Sequence, residues 1–291
     1  MRSYPADYEL VSPGNLDAVL RLLNEQPEQW TAIAGGTEIM VQYGAGRLAA
    51  RKLVNIWNLG DLREIAETET TLSIGGGCTF SQIRGHAGIQ RHFPMLAQCA
   101  SWTGGIANQN RATLAGNLAN ASPAADSPPA LIAYEGEIEL ISVRGLRRMP
   151  YDQFHLGYKK TALAVDELIY AVHLPKKFAG VRSYVRKVGT RNAQAISKIC
   201  VAATARLHAG VVDEVRIGMG SVAPIPLRPA RTEQAVSGRR VDDAVIAEAR
   251  QALLREVSPI DDIRSTAEYR SLVAANLIEE MLRSFAADSR A

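Results

Sequence analysis

Between Thr113 and Pro129 the chain reads Thr-Leu-Ala-Gly-Asn-Leu-Ala-Asn-Ala-Ser-Pro-Ala-Ala-Asp-Ser-Pro-Pro, almost free of bulky side chains where a globular protein would place a core element. Such a stretch suits a backbone lying against a ligand. Gly116 permits close approach, Thr113, Asn117, Asn120 and Ser122 carry hydrogen-bonding groups, and Asp126 could accept from sugar hydroxyls. A second small-residue loop, Ala34-Gly35-Gly36-Thr37-Glu38, follows the apolar run Thr31-Ala32-Ile33. Singly, such clusters are most often plain turns. Two in one chain point to a phosphate-rich ligand held mainly by backbone N–H groups.

Length and composition set the frame for that ligand. The 291 residues suit two domains or one large one, and a hydrophobic share of 47% with 22% charged residues is ordinary for a globular protein. A net charge of +3 is too small to argue for nucleic acid. Cys78, Cys99 and Cys200 are far apart and form no Cys-x-x-Cys pair, so this chain alone can build neither a zinc site nor an iron–sulfur cluster. The five histidines share no metal or triad spacing and read as surface or capping residues. With no apolar signal core near Met1 and no run of about 20 apolar residues, the expected location is the cytoplasm.

Periodicity predicts a helix over Leu16–Leu23, short strands at Trp30–Ile33, Leu53–Ile56 and Leu72–Gly75, and helices over Thr79–Ile89 and Pro94–Trp102. Glu137–Val143 reads as a half-buried strand, Gly145-Leu146-Arg147-Arg148 as a hairpin turn, and Glu167–Leu174 as a strand stopped by Pro175. Lys176–Gly180 is the candidate linker. Beyond it, Arg182–Val188, Ile199–Leu207 and Val211–Ser221 suit an antiparallel sheet, followed by helices at Asp242–Val257 and Ala267–Ala287.

Seven segments in order resemble one family, the FAD-binding medium subunit of the molybdenum hydroxylases, which includes xanthine and carbon monoxide dehydrogenases. They are Ala34–Glu38, Val54-Asn55-Ile56 through Ile65, Ile74–Phe80 with its Gly75-Gly76-Gly77, Thr113–Pro129, Lys187–Lys198, Ala223-Pro224-Ile225-Pro226, and Asp262–Arg270. The resemblance implies an α+β fold: a two-part FAD-binding domain of small α/β subdomains over 1–176 (about 1–57 and 58–176), then a C-terminal domain over 181–291 with an antiparallel sheet and helices. No Gly-x-Gly-x-x-Gly follows a strand, so a Rossmann site is disfavoured, and Gly75-Gly76-Gly77 reads as a tight strand-to-helix turn.

The flavin contacts implied by the resemblance are Ala32, Ile33, Ala34, Gly35, Gly36, Thr37, Glu38 and Ile39 in the first loop. The second region supplies Thr103, Gly104, Gly105, Thr113, Gly116, Asn117 and Asp126, with Ile169 near the isoalloxazine and Lys187 reaching its end. One departure is Ala115, where the family usually has glycine. If that position needs φ > 0 or tight contact with the pyrophosphate, alanine costs about 1 kcal/mol or more. The first loop has no His or Cys for a covalent link, so FAD is expected to be non-covalent, with the molybdenum cofactor on a large partner subunit and [2Fe-2S] clusters on a small one. Electrons would pass from those clusters through FAD to NAD+ or another acceptor. A stand-alone flavin oxidoreductase, a flavin-free structural paralogue and a nucleotide-binding regulatory module stay open beside this reading.

Overall fold

Leu16, Val19, Leu20 and Leu23 recur at helical spacing and all four are buried, which sets α1 (Leu16–Glu25) as the cover of a small sheet. Each such burial stabilises by roughly 1.5–3 kcal/mol. Asn15 caps the helix, accepting from the Ala18 N–H at 2.9 Å. The sheet beneath is parallel, ordered β1-β3-β2, with β1 (Glu9–Val11) and β2 (Trp30–Ile33) both pairing β3 (Lys52–Asn55). Between β2 and β3 runs the short helix α2 (Ile39–Gly44). The computed structural model describes residues 4–191 and 194–287; Asn192 and Ala193 of the Lys187–Lys198 segment lie outside them.

The middle of the chain forms an antiparallel sheet ordered β4-β5-β10-β6-β7. Its strands are β4 (Ile65–Glu67), β5 (Thr71–Gly75), β6 (Glu137–Ser142), β7 (Gly145–Pro150) and β10 (Leu168–Pro175), with β8 (His155–Gly157) and β9 (Lys160–Thr161) as a separate hairpin. Between β5 and β6 come α3 (Phe80–Gly85), α4 (Ala87–His92), α5 (Pro94–Trp102), α6 (Ile106–Gln109), α7 (Leu114–Ala119) and α8 (Pro128–Ala133). Leu72, Ile74, Phe80, Phe93, Leu96, Leu114 and Val172 share the core of this unit.

Three local expectations are corrected. The hairpin turn is Val143–Arg144, because Ser142 pairs with Gly145, so Gly145–Arg148 belongs to β7. This edge strand is strongly charged: Arg147 pairs with Glu167 and Arg148 with Glu139, both at 2.6 Å, which hid its strand character. The helix expected over Thr79–Ile89 breaks at His86, which is extended, and whose Nδ1 accepts from the Ile89 N–H at 3.4 Å to start α4. Lys176–Gly180 is no loose linker, since Phe178 is buried and Lys176 reaches Glu67 at 2.6 Å.

Strands β11 (Arg182–Val188), β12 (Ile199–His208) and β13 (Val211–Gly220) form the C-terminal antiparallel sheet. Helices α9 (Ala230–Val236), α10 (Asp243–Leu254) and α11 (Ala267–Ala287) complete the chain. Along β12 the pleat sends Ile199, Val201, Ala203 and Ala205 into a core shared with α10 and α11. The opposite face meets α8: Thr204 Oγ1 donates to the Ala133 carbonyl at 3.0 Å, and a Cβ on Gly218 would lie 2.1 Å from the Pro129 carbonyl oxygen. Burial on both faces explains why β12 reads as a continuous apolar run. The fold is α+β, with α8 as the seam between the middle unit and the C-terminal sheet.

Candidate functional site

The two small-residue loops come together and line one cleft of about 490 Å³. On one wall stand Ala32 and residues 34–39; on the other stand Thr103, Gly104, Thr113, Gly116 and Asn117. The loops touch directly. A Cβ on Gly35 would sit 1.7 Å from the Arg111 carbonyl oxygen, so glycine there is demanded by loop packing rather than by a ligand. Gly36 has φ +74° and Gly104 φ +62°, the left-handed region that favours glycine.

In the first loop the chain leaves β2, turns through Gly36 and enters α2, where the Met40 N–H donates to the Gly36 carbonyl at 2.8 Å. Among the described residues, the N–H groups of Gly35, Gly36, Thr37 and Glu38 donate to nothing in the protein. Four successive unpaired donors on the wall of a cleft carry a concentrated partial positive charge, a nest for an anion.

The second region is more ordered than a loop: residues 114–119 and 128–133 are the helices α7 and α8. Thr113 caps α7, accepting from the Gly116 N–H at 3.2 Å. Its neighbours are stitched to the glycine turn, with Leu114 N–H on the Cys78 carbonyl at 3.0 Å and Ala115 N–H on the Gly76 carbonyl at 2.9 Å. That turn packs three backbones: a Cβ on Gly75 would meet the Leu62 carbonyl oxygen at 2.5 Å, and one on Gly76 the Ile169 carbonyl oxygen at 2.3 Å. Asn117 accepts from Ser127 Oγ at 2.7 Å, which leaves its amide NH2 without a partner among the described residues. Ala115 is helical, its φ is not positive, and its methyl packs against Gly76 and the core rather than lining the cleft.

Five of the expected residues stand off the cleft walls. Ile33 packs beneath the Gly36 turn, and Gly105 starts α6 beside the Gln194 side chain. Ile169 is buried behind Gly76. Asp126 and Lys187 bind each other: Lys187 Nζ donates to Asp126 Oδ2 at 2.7 Å and to the Trp102 carbonyl at 3.2 Å, while Ser197 Oγ donates to Asp126 Oδ1 at 2.5 Å. Burial pushes the Asp126 carboxyl up, with Lys187 and Ser197 pulling it down. The pair therefore ties β11 to the backbone just before cleft residues Thr103 and Gly104. Asn120 is engaged by Lys159 Nζ at 2.7 Å, and Ser122 closes a local turn with the Ala124 N–H at 3.3 Å.

Sequence reasoning missed Gln42, Asn108 and the stretch 48–50 on the cleft walls. Gln42 stands four residues after Glu38 in α2 and donates to its Oε1 at 3.1 Å, a spacing legible once α2 is known. Nothing in residues 48–50 signals a wall; proximity alone makes them one. His155 and His173, expected as surface or capping residues, are both buried, the latter between Ser73 Oγ at 2.7 Å and Glu139 Oε2 at 3.1 Å.

A family model described as FAD binding domain in molybdopterin dehydrogenase matches residues 6–177, and one described as CO dehydrogenase flavoprotein C-terminal domain matches residues 184–285. The chain is 34% identical over 255 residues to the xanthine dehydrogenase FAD-binding subunit of Escherichia coli O157:H7, covering 86% of each chain. It is 24% identical to the carbon monoxide dehydrogenase medium chain of Hydrogenophaga pseudoflava, covering 96% of this chain and 97% of that one. A solved structure of carbon monoxide dehydrogenase from the same organism, lacking the Mo-pyranopterin moiety of its molybdenum cofactor, superposes with a TM-score of 0.91 at 26% identity, covering 95% of this chain and 96% of that chain.

Proposed function

The chain belongs to the FAD-binding subunits of the molybdenum hydroxylases, oxidoreductases, and on that premise we propose that the cleft between its two loops holds the FAD through which its complex passes electrons. The observation that carries this reading is the run of four unpaired amides at Gly35–Glu38 facing the Thr113–Asn117 helix start across one cleft. Those amides suit the pyrophosphate, which needs donors and no side-chain cation. Thr37, Asn108 and the free NH2 of Asn117 offer polar partners to the sugar hydroxyls, and Leu48 and the adjoining alanines offer an apolar wall. The donor set fits the cofactor.

Held by these residues, FAD would supply the coupling between a one-electron donor and a two-electron acceptor such as NAD+. The protein's part is to bind and orient it. Asp126 and Lys187 hold the Trp102–Gly104 wall in place. Gly105 continues the backbone of that wall, and Ile169 backs the Gly76 turn. Ala115 leaves the cleft open, so no residue on its walls favours the flavin-free alternative.

The relatives are named for substrates as different as xanthine and carbon monoxide, which suits a subunit that handles electrons rather than substrate. In this reading the molybdenum cofactor sits on a large partner subunit, the [2Fe-2S] clusters on a small one, and this chain donates to NAD+ or another acceptor. The three cysteines are free thiols, which supports a reducing, cytoplasmic setting for the complex. Among the described residues no helix is long and apolar enough to cross a membrane. Stopped-flow mixing tests the reading. The assembled complex, reduced anaerobically, is expected to recover its flavin absorbance on addition of NAD+ or a quinone, and Asp126→Ala and Lys187→Ala are expected to lower its FAD content or slow that recovery. Unchanged content and rate in both variants would remove them from the site, and no recovery with any acceptor would remove the electron-transfer role.

A further inference from the structure

A second cleft, of about 310 Å³, lies where the 122–124 turn, the β8–β9 hairpin, the end of β13 and the segment before α11 meet. Its floor carries an excess of positive charge. Arg270 lines it and is only 2% exposed, and Arg264 stands beside it. Both guanidiniums lean on one carboxylate: Arg270 Nη2 donates to Asp262 Oδ1 at 2.8 Å, and Arg264 Nε donates to Asp262 Oδ2 at 3.0 Å. Arg270 Nη1 also donates to the Ser221 carbonyl at 3.2 Å, but its buried Nε has no partner among the described residues. Two cations share one acid, and a buried donor is left over. Arg264 keeps part of its guanidinium open to the cleft, where a second anion can pair with it.

The rim is apolar and held out. Tyr158 and Ile260, both in the cleft wall, are largely exposed, and Ile263 is fully exposed. Ile263 is presented rigidly, because Asp262 and Ser265 exchange backbone hydrogen bonds of 3.1 Å across it. Ser221, on the opposite lip, keeps a left-handed backbone at φ +66° that a non-glycine residue rarely adopts. A small free acid would neutralise the arginines yet leave these three large side chains in water. A polypeptide would cover both.

We propose that this cleft docks a partner subunit of the complex through a carboxylate, from an acidic side chain or a chain terminus, that pairs with Arg264 above Arg270 while flanking apolar residues cover Tyr158, Ile260 and Ile263. The inference rests on the reading of the chain as one subunit of an assembly. It is tested by co-expressing the chain with its molybdenum-cofactor and iron–sulfur subunits and measuring assembly by sedimentation, together with hydrogen exchange. Ile263→Asp, at a fully exposed position, and Arg264→Glu, at a half-buried one in the cleft wall, are expected to weaken assembly at least about tenfold while the FAD content of the chain stays unchanged. Residues 258–264 are expected to become protected on assembly. Wild-type assembly by both variants, or no protection of that segment, would overturn the docking site while leaving the subunit reading intact. Protection of the free chain by millimolar acetate or citrate, with none added on assembly, would assign the cleft to a small acid and likewise overturn it. A wild-type chain that binds neither subunit would overturn both readings.

Discussion

Gly35 decides whether the two loops can meet at all. Its missing side chain leaves room for the Arg111 carbonyl, and any Cβ would drive the loops apart by overlap at 1.7 Å. Gly35→Ala is therefore expected to weaken FAD binding at least about tenfold, or about 1.4 kcal/mol, in a fluorescence titration. Gly44, in α2 with nothing within 4 Å of a built Cβ, gives the control: Gly44→Ala is expected to leave binding unchanged and to stabilise by up to about 1 kcal/mol. Equal effects of the two substitutions would show that loop contact is not what shapes the cleft. A second residue carries the pH dependence. His155 is buried, with Nε2 2.8 Å from the Tyr151 hydroxyl and no partner for Nδ1 among the described residues. Burial lowers its pKa from 6.5 to about 4. The unfolded chain thus takes up a proton that the folded chain refuses, so this stability is complete above about pH 6.5 and is lost as pH falls toward about 4. His155→Phe is expected to flatten the melting temperature across that window; a slope identical to wild type would place the acid sensitivity elsewhere.

At the scale of elements, α7 is held in register by one cap and one miniature ladder. Thr113 accepts from the Gly116 N–H, and an isolated bridge joins Thr113 to Thr79. Thr113→Ala is expected to cost about 1 kcal/mol of stability and to weaken FAD binding more than it lowers the melting point, because the cap also sets the cleft wall. A loss of stability with unaltered affinity would make Thr113 a structural cap alone. The sequence displayed much of this but not its form. The periodic segments, such as α1, β12 and α11, were legible because an apolar face repeats at the element's own spacing. Residues 114–119 resembled a loop because their helix is short and buries only Leu114 and Leu118, too little for a period to emerge. Helix α2 was hidden for a related reason: it buries no residue, so its Ile39-Met40-Val41 run follows no core-facing pattern. Strand β7 was masked by arginines that bind Glu139 on β6 and Glu167 just before β10. The Asp126–Lys187 pair could not be read at all, since its partners are 61 residues apart and only packing joins them.

Across the whole molecule, the C-terminal sheet is pressed against α8, and the buried Lys187–Asp126–Ser197 cluster spans the same seam. Breaking one partner of a buried pair leaves an uncompensated charge and typically costs 3–5 kcal/mol. Lys187→Met is expected to lower the melting temperature by several degrees, whereas the paired replacement Asp126→Asn with Lys187→Met recovers part of that loss. Additive losses would mean that the two residues are not coupled. Gly218 makes the same point through sterics, because a side chain there would collide with the Pro129 carbonyl that opens α8. The seam matters for function because the Trp102 carbonyl held by Lys187 immediately precedes the cleft wall. The proposed flavin site is thus a property of the assembled chain rather than of the first loop by itself.

The most direct test of that account is the flavin content of the purified chain and of its co-expressed complex, read by visible absorbance before and after acid precipitation. One FAD per chain is expected, released intact by acid, and lost or more weakly held in Gly35→Ala. Absence of flavin from both the chain and the complex, or a flavin that stays with the acid-precipitated protein, would contradict a non-covalent FAD site between the two loops.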